Sequence, residues 1–297
     1  MKIVDFNEGR IGVIDGADVV DVSEIVSYDP GAWPPTGMLR FIASFPELKR
    51  RIGDLLAIGR RIPLEQAKLN CPIAWPNKVI AFPANYHAHI DEMKAGSGLI
   101  SKTDASGQGF FLKANSSLSG PREPIVLPAI PDREVHHECE LAVVIGKGGR
   151  GISRERAMEH VFGYSCLVDV VVRGKEERVM RKSFDSFCPM GPNITTADEI
   201  SHYDAIDLEL TVNGELRQKA NTRDLIVGIP EMIEMSSAVM TLYPGDIIAS
   251  GTPAGVGPIR DGEVLAIRIA GVGEMMLDVK AGTAGGHPVW RKAKANA

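Results

Sequence analysis

Two carboxylates stand close together at the start of an apolar run. In "HHECELAVVIG", Glu138 and Glu140 are two residues apart and would project from one face of a strand. The strand continues as "LAVVI" without polar alternation, which indicates a strand covered on both faces. Carboxylates at the mouth of a buried strand repel each other and lose hydration, so they need a cation. If this strand face is exposed, the pair is an ordinary solvated surface feature.

A third acid, Asp169, lies in the apolar run "CLVDVVV" and is a candidate third ligand. An all-oxygen ligand set suits Mg²⁺, Mn²⁺ or Ca²⁺ and disfavours zinc, which prefers Cys and His. His136 falls on the same strand face as the two glutamates and leaves a softer metal open. If His136 and His137 are not ligands, they form a partly exposed pair at the start of a strand.

A second pair of residues has the spacing of an acid/base dyad. In "VIAFPANYHAHIDEM", an apolar strand ends in a polar turn, and His89 and Glu92 follow at i,i+3 on one helical turn. Such a carboxylate orients the imidazole and stabilises its positive charge, as general-base chemistry requires. The alternative interpretation is an ordinary surface contact.

Three glycines, Gly146, Gly148 and Gly151, match G-x-G-x-x-G between a strand-like run and a helix-like segment, as in a dinucleotide-binding loop. Asp169 lies near the position of an acid that holds a ribose hydroxyl. In a nucleotide fold, however, no acidic cluster precedes the glycines, because it would repel the pyrophosphate. Ser153 is a suitable helix N-cap. We therefore interpret the glycines as a connector, and an NAD(P)-dependent oxidoreductase is a less favoured alternative.

The elements that position these residues fall into two predicted units. Residues 1–70 are predicted to form a small N-terminal α/β domain, with a strand pair in "MKIVDFNEGRIGVIDGADVVDVSEI" and helices in "MLRFIASFPELKRRIGDLLAIGRR". The two prolines of "LNCPIAWPNKVIAF" mark the boundary. In residues 71–297, predicted strands outnumber the helices at "SRERAMEHV" and "IPEMIEMSSAVM"; the strands are "VIAF", "CELAVVIG", "YSCLVDVVV", "IDLELTVNG", "DIIASG" and "EVLAIRI". This clustering predicts an α+β fold with a mixed, strand-rich architecture.

The composition excludes several classes of function. A net charge of −5 without a long basic block argues against nucleic-acid binding. No apolar run approaches the roughly 18 residues of a membrane span, and the N-terminus lacks the pattern of a secretory signal, so we expect a cytoplasmic protein. The four cysteines have no C-x-x-C spacing and are expected to be buried, reduced thiols.

Several motifs, in order, resemble those of the fumarylacetoacetate hydrolase family. "NYHAHIDE" resembles its N-Y-x-x-H-x-x-E, and "HECELAVVIGK" its E-x-E-L-x-x-V-I-G-K. "GYSCLVDVVVR" with "KSFDSFCPMGP" is similar to G-Y-x-x-x-x-D…R…K-x-F-D-x-x-x-P-x-G-P, and "LYPGDIIASGTPAGVG" to L-x-P-G-D-x-I-x-T-G-T-P-x-G-V-G. The resemblance covers about residues 75 to 280.

The resemblance implies a mixed β-roll behind a small N-terminal domain, usually assembled as a homodimer. It also implies roles for the residues above: the three acids bind the metal, and His89 with Glu92 forms the catalytic dyad. Lys182 would reach the substrate oxyanion. The alternative interpretation is that Lys182 is a cation on the protein surface. Substrate-binding positions implied are Tyr86, Gly251 and Thr252, although the glycine loop could also be a simple turn.

The chain departs from the family pattern at a few positions. Pro83 and Ala84 stand where members usually have Gly and an apolar residue, so the turn that presents His89 is expected to differ. "HHE" replaces the common D-Y-E, and Ser250 replaces the usual Thr. These departures concern the identity of the substrate more than the binding of the metal.

The resemblance predicts a metal-dependent hydrolase that cleaves a C–C bond in acylpyruvate-like 1,3-diketo acids. Oxaloacetate decarboxylation and isomerisation of 5-carboxymethyl-2-hydroxymuconate-type acids are the nearest alternatives, because both use a metal-stabilised enolate. A non-enzymatic alternative is a metal-dependent protein that only binds a small oxo acid. The intact pair of His89 and Glu92 favours turnover.

Overall fold

The computed structural model of the protein describes residues 1–26, 29, 31–97, 104–283 and 288–290. The helices of this part are α1 (Gly37–Ile58), α2 (His87–Ser97), α3 (Ala105–Gln108), α4 (Arg178–Arg181) and α5 (Ile229–Val239). The strands of the first half are β1 (Lys2–Phe6), β2 (Arg10–Asp15), β3 (Asp18–Asp21), β4 (Arg61–Pro63), β5 (Val79–Ala81), β6 (Phe111–Lys113), β7 (Leu118–Ser119), β8 (Ile125–Leu127), β9 (Val135–His137) and β10 (Cys139–Ile145). Those of the second half are β11 (Val161–Val168), β12 (Val171–Val172), β13 (Cys188–Thr196), β14 (Asp207–Val212), β15 (Glu215–Asn221), β16 (Ile247–Ala249), β17 (Gly257–Pro258), β18 (Val264–Ile269) and β19 (Gly273–Ala281).

A large mixed sheet forms the centre of the fold. Its strands run in the order β4-β3-β2-β1-β13-β11-β10-β16-β5-β6, and β7 pairs with β13. β16 and β5 are parallel, whereas β10 and β11 are antiparallel. The N-terminal strands extend this same sheet, because Lys2 and Ile3 of β1 pair with Thr195 and Ile194 of β13.

Two smaller sheets complete the strand-rich architecture. One contains β15-β14-β18-β19-β8 and the other β12-β9-β17. Together with the large sheet they confirm the predicted α+β class, in which antiparallel pairs dominate and a few helices pack on the strands. The described helices include none that is both long and apolar enough to cross a membrane.

The central strand β10 is buried on both faces, as its unbroken apolar sequence predicts. Leu141 and Val143 pack into one hydrophobic core and Ala142 and Val144 into another. Helix α1 covers the second core with a buried stripe that includes Phe41, Phe45 and Ile52. Rigid, double-sided burial fixes the strand that carries the candidate ligand Glu140.

Two helical predictions are refined. The N-terminal region forms one continuous helix α1, with Pro46 inside it, where the sequence predicted helices in the plural. The segment after the glycines is a 3₁₀ helix, Arg154–His160, and Ser153 at its N-cap makes no side-chain capping bond. The four cysteines are free and buried, as expected.

Ala84, in the turn before α2, adopts a left-handed conformation with φ of +50°. This region disfavours side chains with a Cβ by about 1–2 kcal/mol. We therefore expect Ala84→Gly to raise the free energy of unfolding by about 0.5–1 kcal/mol, after the entropic cost of glycine is subtracted. Ala114, whose φ is −62°, is the matched control. Urea unfolding should show Ala114→Gly less stable than wild type, and an equal loss for Ala84→Gly would contradict the argument.

Candidate active site and metal centre

Three acids converge where two neighbouring strands are interrupted. Glu138 lies in the gap between β9 and β10, and Asp169 in the gap after β11. The antiparallel register pairs Cys139 with Val168, and the Asp169 amide donates to the Glu138 carbonyl oxygen at 2.8 Å. Each acid, Glu140 included, offers a carboxylate oxygen within 4.8 Å of the others, and all three are buried. The structure thus brings the predicted ligand set together.

Two buried lysines partly neutralise this cluster. The Lys182 Nζ donates to Glu138 at 2.6 Å and to Asp169 at 2.5 Å. Lys113, which the sequence analysis missed, donates to the other oxygen of Asp169 and to the Lys182 carbonyl oxygen. Burial opposes the charge on Lys182, but Asp169 and Glu138 outweigh it and raise its pKa. Lys182 is therefore an internal cation of the site and not a surface residue.

Glu140 has no such counter-ion. Its Oε2 accepts a hydrogen bond from the Gly251 amide at 2.8 Å, and within the described residues no basic side chain forms a salt bridge with it. Burial, followed by the charge of Asp169, raises the pKa of Glu140 well above its usual range. Burial also opposes ionisation of Glu138, yet Lys182 and then Arg173 hold its pKa below the usual range. A divalent cation with oxygen ligands fits this uncompensated charge.

The predicted dyad forms on helix α2. The His89 Nδ1 lies 3.2 Å from the Glu92 Oε2, and His89 is 4% exposed. Burial would raise the pKa of Glu92, but the hydrogen bond with His89 and the Gly255 amide lower it. With a proton on Nδ1, the ring donates to an ionised carboxylate, and Nε2 is left as the basic nitrogen. This geometry is that of an oriented general base.

One loop, residues 250–257, connects both constellations. The Gly251 amide donates to Glu140, and the Gly255 amide donates to the Glu92 Oε1 at 3.0 Å. Both glycines have left-handed backbones, with φ of +89° and +93°. A Cβ at Gly255 would lie 1.9 Å from the Arg217 carbonyl oxygen. The glycines of "SGTPAGVG" therefore permit the loop to reach the metal ligands and the dyad together.

A buried amide, Gln218 on β15, fixes this loop to the metal-ligand strand. Its Oε1 accepts hydrogen bonds from the Cys139 amide and the His137 ring, both at 2.9 Å. Its Nε2 donates to the Thr252 Oγ1 at 2.8 Å and to the Pro253 carbonyl oxygen at 2.9 Å. Sequence analysis missed Gln218, and the one available signal is a lone amide in the polar strand "ELRQKAN".

The remaining candidate residues divide between the site and its surroundings. Tyr86 is 2% exposed, and within the described structure its buried hydroxyl has no hydrogen-bond partner. Burial raises the pKa of Tyr86, and the charge of Glu140 contributes to the same shift.

His136 contacts Glu134 and Arg173 and is not part of the ligand cluster. The alternative of a softer metal held by His136 therefore has no support in the geometry.

The glycine-rich loop uses its amides within the fold. The Gly146 amide donates to the His160 carbonyl oxygen, that of Gly149 to Leu242, and that of Gly151 to Ser237. A phosphate cradle needs such amides directed at the ligand. The bonding pattern therefore supports the interpretation of this loop as a connector.

Substitution of Gly255 tests the loop. Gly255→Ala forces the loop away from Arg217 and withdraws the amide from Glu92, so we expect kcat to fall roughly 10- to 100-fold through misplacement of the dyad. Gly262 is a matched control, because it also has a positive φ, +83°, but its added Cβ would meet nothing within 4 Å. Steady-state kinetics should show Gly262→Ala nearly unaffected. Wild-type turnover by Gly255→Ala would refute the connection between loop and dyad.

The fold and the site have the features of one enzyme family. A family model for the C-terminal domain of fumarylacetoacetate hydrolase matches residues 78–280, and the chain belongs to the fumarylacetoacetate hydrolase family. The chain is 44% identical over 287 residues to maleylpyruvate hydrolase from Aquipseudomonas alcaligenes, a match that covers 95% of this chain and 100% of the relative.

Solved structures show the same relationship. The crystal structure of maleylpyruvate hydrolase from Sphingobium sp. SYK-6 in complex with manganese(II) ion and pyruvate matches with 50% identity and a TM-score of 0.87, covering 95% of this chain and 100% of that chain. The 5-carboxymethyl-2-hydroxymuconate delta-isomerase from Mycobacterium smegmatis matches with 32% identity and a TM-score of 0.72, with coverage of 95% and 100%. These findings confirm the predicted family and its fold. They also confirm the prediction that the protein is an enzyme acting on a C–C bond of a keto acid.

Proposed function

We propose that the protein hydrolyses acylpyruvates of the maleylpyruvate type, converting maleylpyruvate and water into maleate and pyruvate. The observation that carries the proposal is the single glycine loop that contacts both the three-acid cluster and the dyad, through the amides of Gly251 and Gly255. A metal site and an oriented base held by one loop suit the hydrolysis of a chelating oxo acid. The two similar maleylpyruvate hydrolases support this substrate class.

Glu138, Glu140 and Asp169 would hold the divalent ion. When bound, such an ion polarises the oxygens of an oxo acid and stabilises negative charge that develops on them. Mn²⁺ is the first choice because a similar structure contains it, and Mg²⁺ or Ca²⁺ are compatible with the same oxygen ligands. Lys113 and Lys182 would keep Glu138 and Asp169 ionised and oriented around the ion.

The dyad would perform the proton transfers. His89 takes a proton from water through Nε2 while Glu92 stabilises the resulting imidazolium. The water oxygen adds to the acyl carbonyl carbon, and the C–C bond to the pyruvate unit then breaks. Its electron pair passes into the pyruvate enolate, whose methylene carbon takes up a proton to give pyruvate, and the acyl group leaves as a carboxylate. Lys182 would offset the oxyanion charge.

Three further residues would bind the substrate beside these groups. Tyr86 contributes a buried hydroxyl without a protein partner in the described structure, and a substrate oxygen would satisfy it. Thr252 and Gly251 belong to the loop that contacts Glu140. Their place next to the ligand strand supports a role in positioning the oxo-acid end.

Isomerisation is a second candidate, favoured by the similarity to 5-carboxymethyl-2-hydroxymuconate delta-isomerase. It needs the same enolate but no attacking water, as does decarboxylation of oxaloacetate. Isomerisation still moves a proton and would use the dyad as its base, so the preference for hydrolysis rests on the similarity to the two maleylpyruvate hydrolases. The same dyad argues against a protein that only binds an oxo acid.

A substrate comparison tests the proposal. Mn²⁺-loaded protein should convert maleylpyruvate with a much higher kcat/KM than oxaloacetate or a hydroxymuconate, measured by loss of enol absorbance and by product chromatography. Preference for oxaloacetate with release of CO₂, or for a hydroxymuconate without cleavage, would replace the hydrolase with one of the two alternatives.

The oligomeric state, the cellular location and the domain division are also proposals. A homodimer and a cytoplasmic location follow from the family resemblance and the sequence. An N-terminal domain of residues 1–70 is supported by the start of the family match at residue 78, although its strands continue the central sheet.

A further inference from the structure

Arg178 lies beside the site and is not used by the mechanism above. Arg178 begins the short helix α4, and its guanidinium carbon lies 5.3 Å from the centre of the Phe111 ring. The Lys182 Nζ lies 5.5 Å from the centre of the same ring. Lys182 contacts Glu138 and Asp169 directly, so Arg178 shares its aromatic neighbour with a lysine that holds two of the candidate metal ligands.

The hydrogen bonds of Arg178 differ from those of the neighbouring arginines. Arg173 donates to His136 and lies 3.9 Å from a Glu138 oxygen. Arg181 donates to two backbone carbonyl oxygens. Arg178 donates one hydrogen bond, to the side-chain oxygen of Gln108 at 2.8 Å, and forms no salt bridge with any carboxylate of the described structure. A half-buried guanidinium with a neutral partner retains capacity for an anion.

The charge of the site also calls for an anionic ligand. Lys113, Lys182 and Arg173 form ion pairs with Glu138 or Asp169, and a bound divalent ion would add further positive charge. The charges of Glu138 and Asp169 act on Arg178 and partly offset the effect of burial, which lowers its pKa. An oxo acid with one carboxylate leaves much of this excess unbalanced, whereas a second carboxylate near α4 would balance more of it.

We propose that Arg178 binds a carboxylate at the far end of the acyl chain and makes the enzyme selective for acylpyruvates with a carboxylated acyl group. This specificity role rests on the proposed hydrolase function and adds a recognition point for the substrate. The planar guanidinium suits a bidentate contact with a carboxylate, and its cation–π contact with the Phe111 ring helps to hold the side chain in place. Acylpyruvates that end in a methyl group would leave Arg178 without an anionic partner.

The experiment compares two substrates, maleylpyruvate and acetylpyruvate, whose acyl group carries no carboxylate. Arg178→Met should lower kcat/KM for maleylpyruvate by about 10- to 100-fold, the usual effect of losing a charge-assisted hydrogen bond, chiefly through a higher KM. Its kcat/KM for acetylpyruvate should remain close to that of wild type. Arg178→Lys should recover part of the loss, because charge returns without the bidentate geometry.

Lys175→Met is the control, because it removes a positive charge close to Arg178 in the sequence. Lys175 lies three residues before Arg178, and its side chain is exposed. This variant should leave both substrates unchanged. Equal losses for both substrates with Arg178→Met, or no loss for either, would overturn the proposal.

Binding of maleate to the Mn²⁺-loaded protein, measured by calorimetry, separates this proposal from the hydrolase function. Weaker maleate binding by Arg178→Met supports the carboxylate site even if wild type hydrolyses neither substrate, an outcome that would refute only the hydrolase. Unchanged maleate affinity would refute the role of Arg178.

Discussion

Replacement of His89 by alanine is expected to lower kcat for acylpyruvate hydrolysis by roughly 10²–10⁴-fold, the usual contribution of a positioned general base. His89 is buried, hydrogen-bonded to Glu92 and mounted on a helix that the Gly255 amide fixes to the loop. Binding of Mn²⁺ should be retained, because the imidazole does not belong to the ligand cluster. Steady-state kinetics and calorimetry with Mn²⁺ give the two readouts.

Two variants sharpen this prediction. Glu92→Gln should lower kcat in the same direction, because a neutral amide stabilises the imidazolium less well than a carboxylate. His87→Ala removes an exposed histidine from the same helix and should leave turnover intact. Wild-type hydrolysis by His89→Ala would exclude the dyad as the base that activates water.

Removal of the metal should abolish activity, and Mn²⁺ or Mg²⁺ should restore it. Glu140→Gln is expected to reduce turnover to the level of the chelated enzyme, because it removes the charge of a ligand that forms no salt bridge with a basic side chain in the described structure. The variant should still fold, since a buried neutral amide costs less than an unpaired carboxylate. Calorimetry should show the loss of Mn²⁺ binding.

Glu134→Gln is the matched control, because Glu134 is a nearby carboxylate that contacts His136 outside the cluster. It should bind Mn²⁺ and turn over as wild type does. Full activity of the chelated enzyme, or of Glu140→Gln, would contradict the metal assignment.

The sequence predicted the acid cluster because a carboxylate in an apolar segment can be recognised from its immediate neighbours and is costly to bury without a partner. Glu138 and Glu140 stand at the start of an apolar run and Asp169 lies inside another, so each carboxylate needs a partner if its strand is buried. The His89–Glu92 pair was equally local, since three residues on a helix fix the contact. The structure adds that the strands are interrupted at Glu138 and at Asp169, whereas Glu140 lies inside β10, which a continuous apolar pattern does not reveal.

The residues that sequence reasoning missed act over long separations. Lys113 reaches Asp169 from β6, and Gln218 joins the ligand strand to the loop of Thr252 from β15. Neither has a local pattern that distinguishes it from a surface residue, because its partners come from distant strands of the fold. The pairing of β1 with β13 is non-local in the same way, so the N-terminal residues gave no sign that they extend the central sheet.

Product analysis of the wild-type enzyme tests the central claim most directly. Maleylpyruvate is incubated with Mg²⁺-loaded protein, and proton NMR follows the substrate and its products over time without paramagnetic broadening. Hydrolysis of the C–C bond predicts maleate and pyruvate in equal amounts, at a rate that falls to background after chelation. Maleylpyruvate that is only isomerised, or that persists while oxaloacetate loses CO₂, would contradict the account.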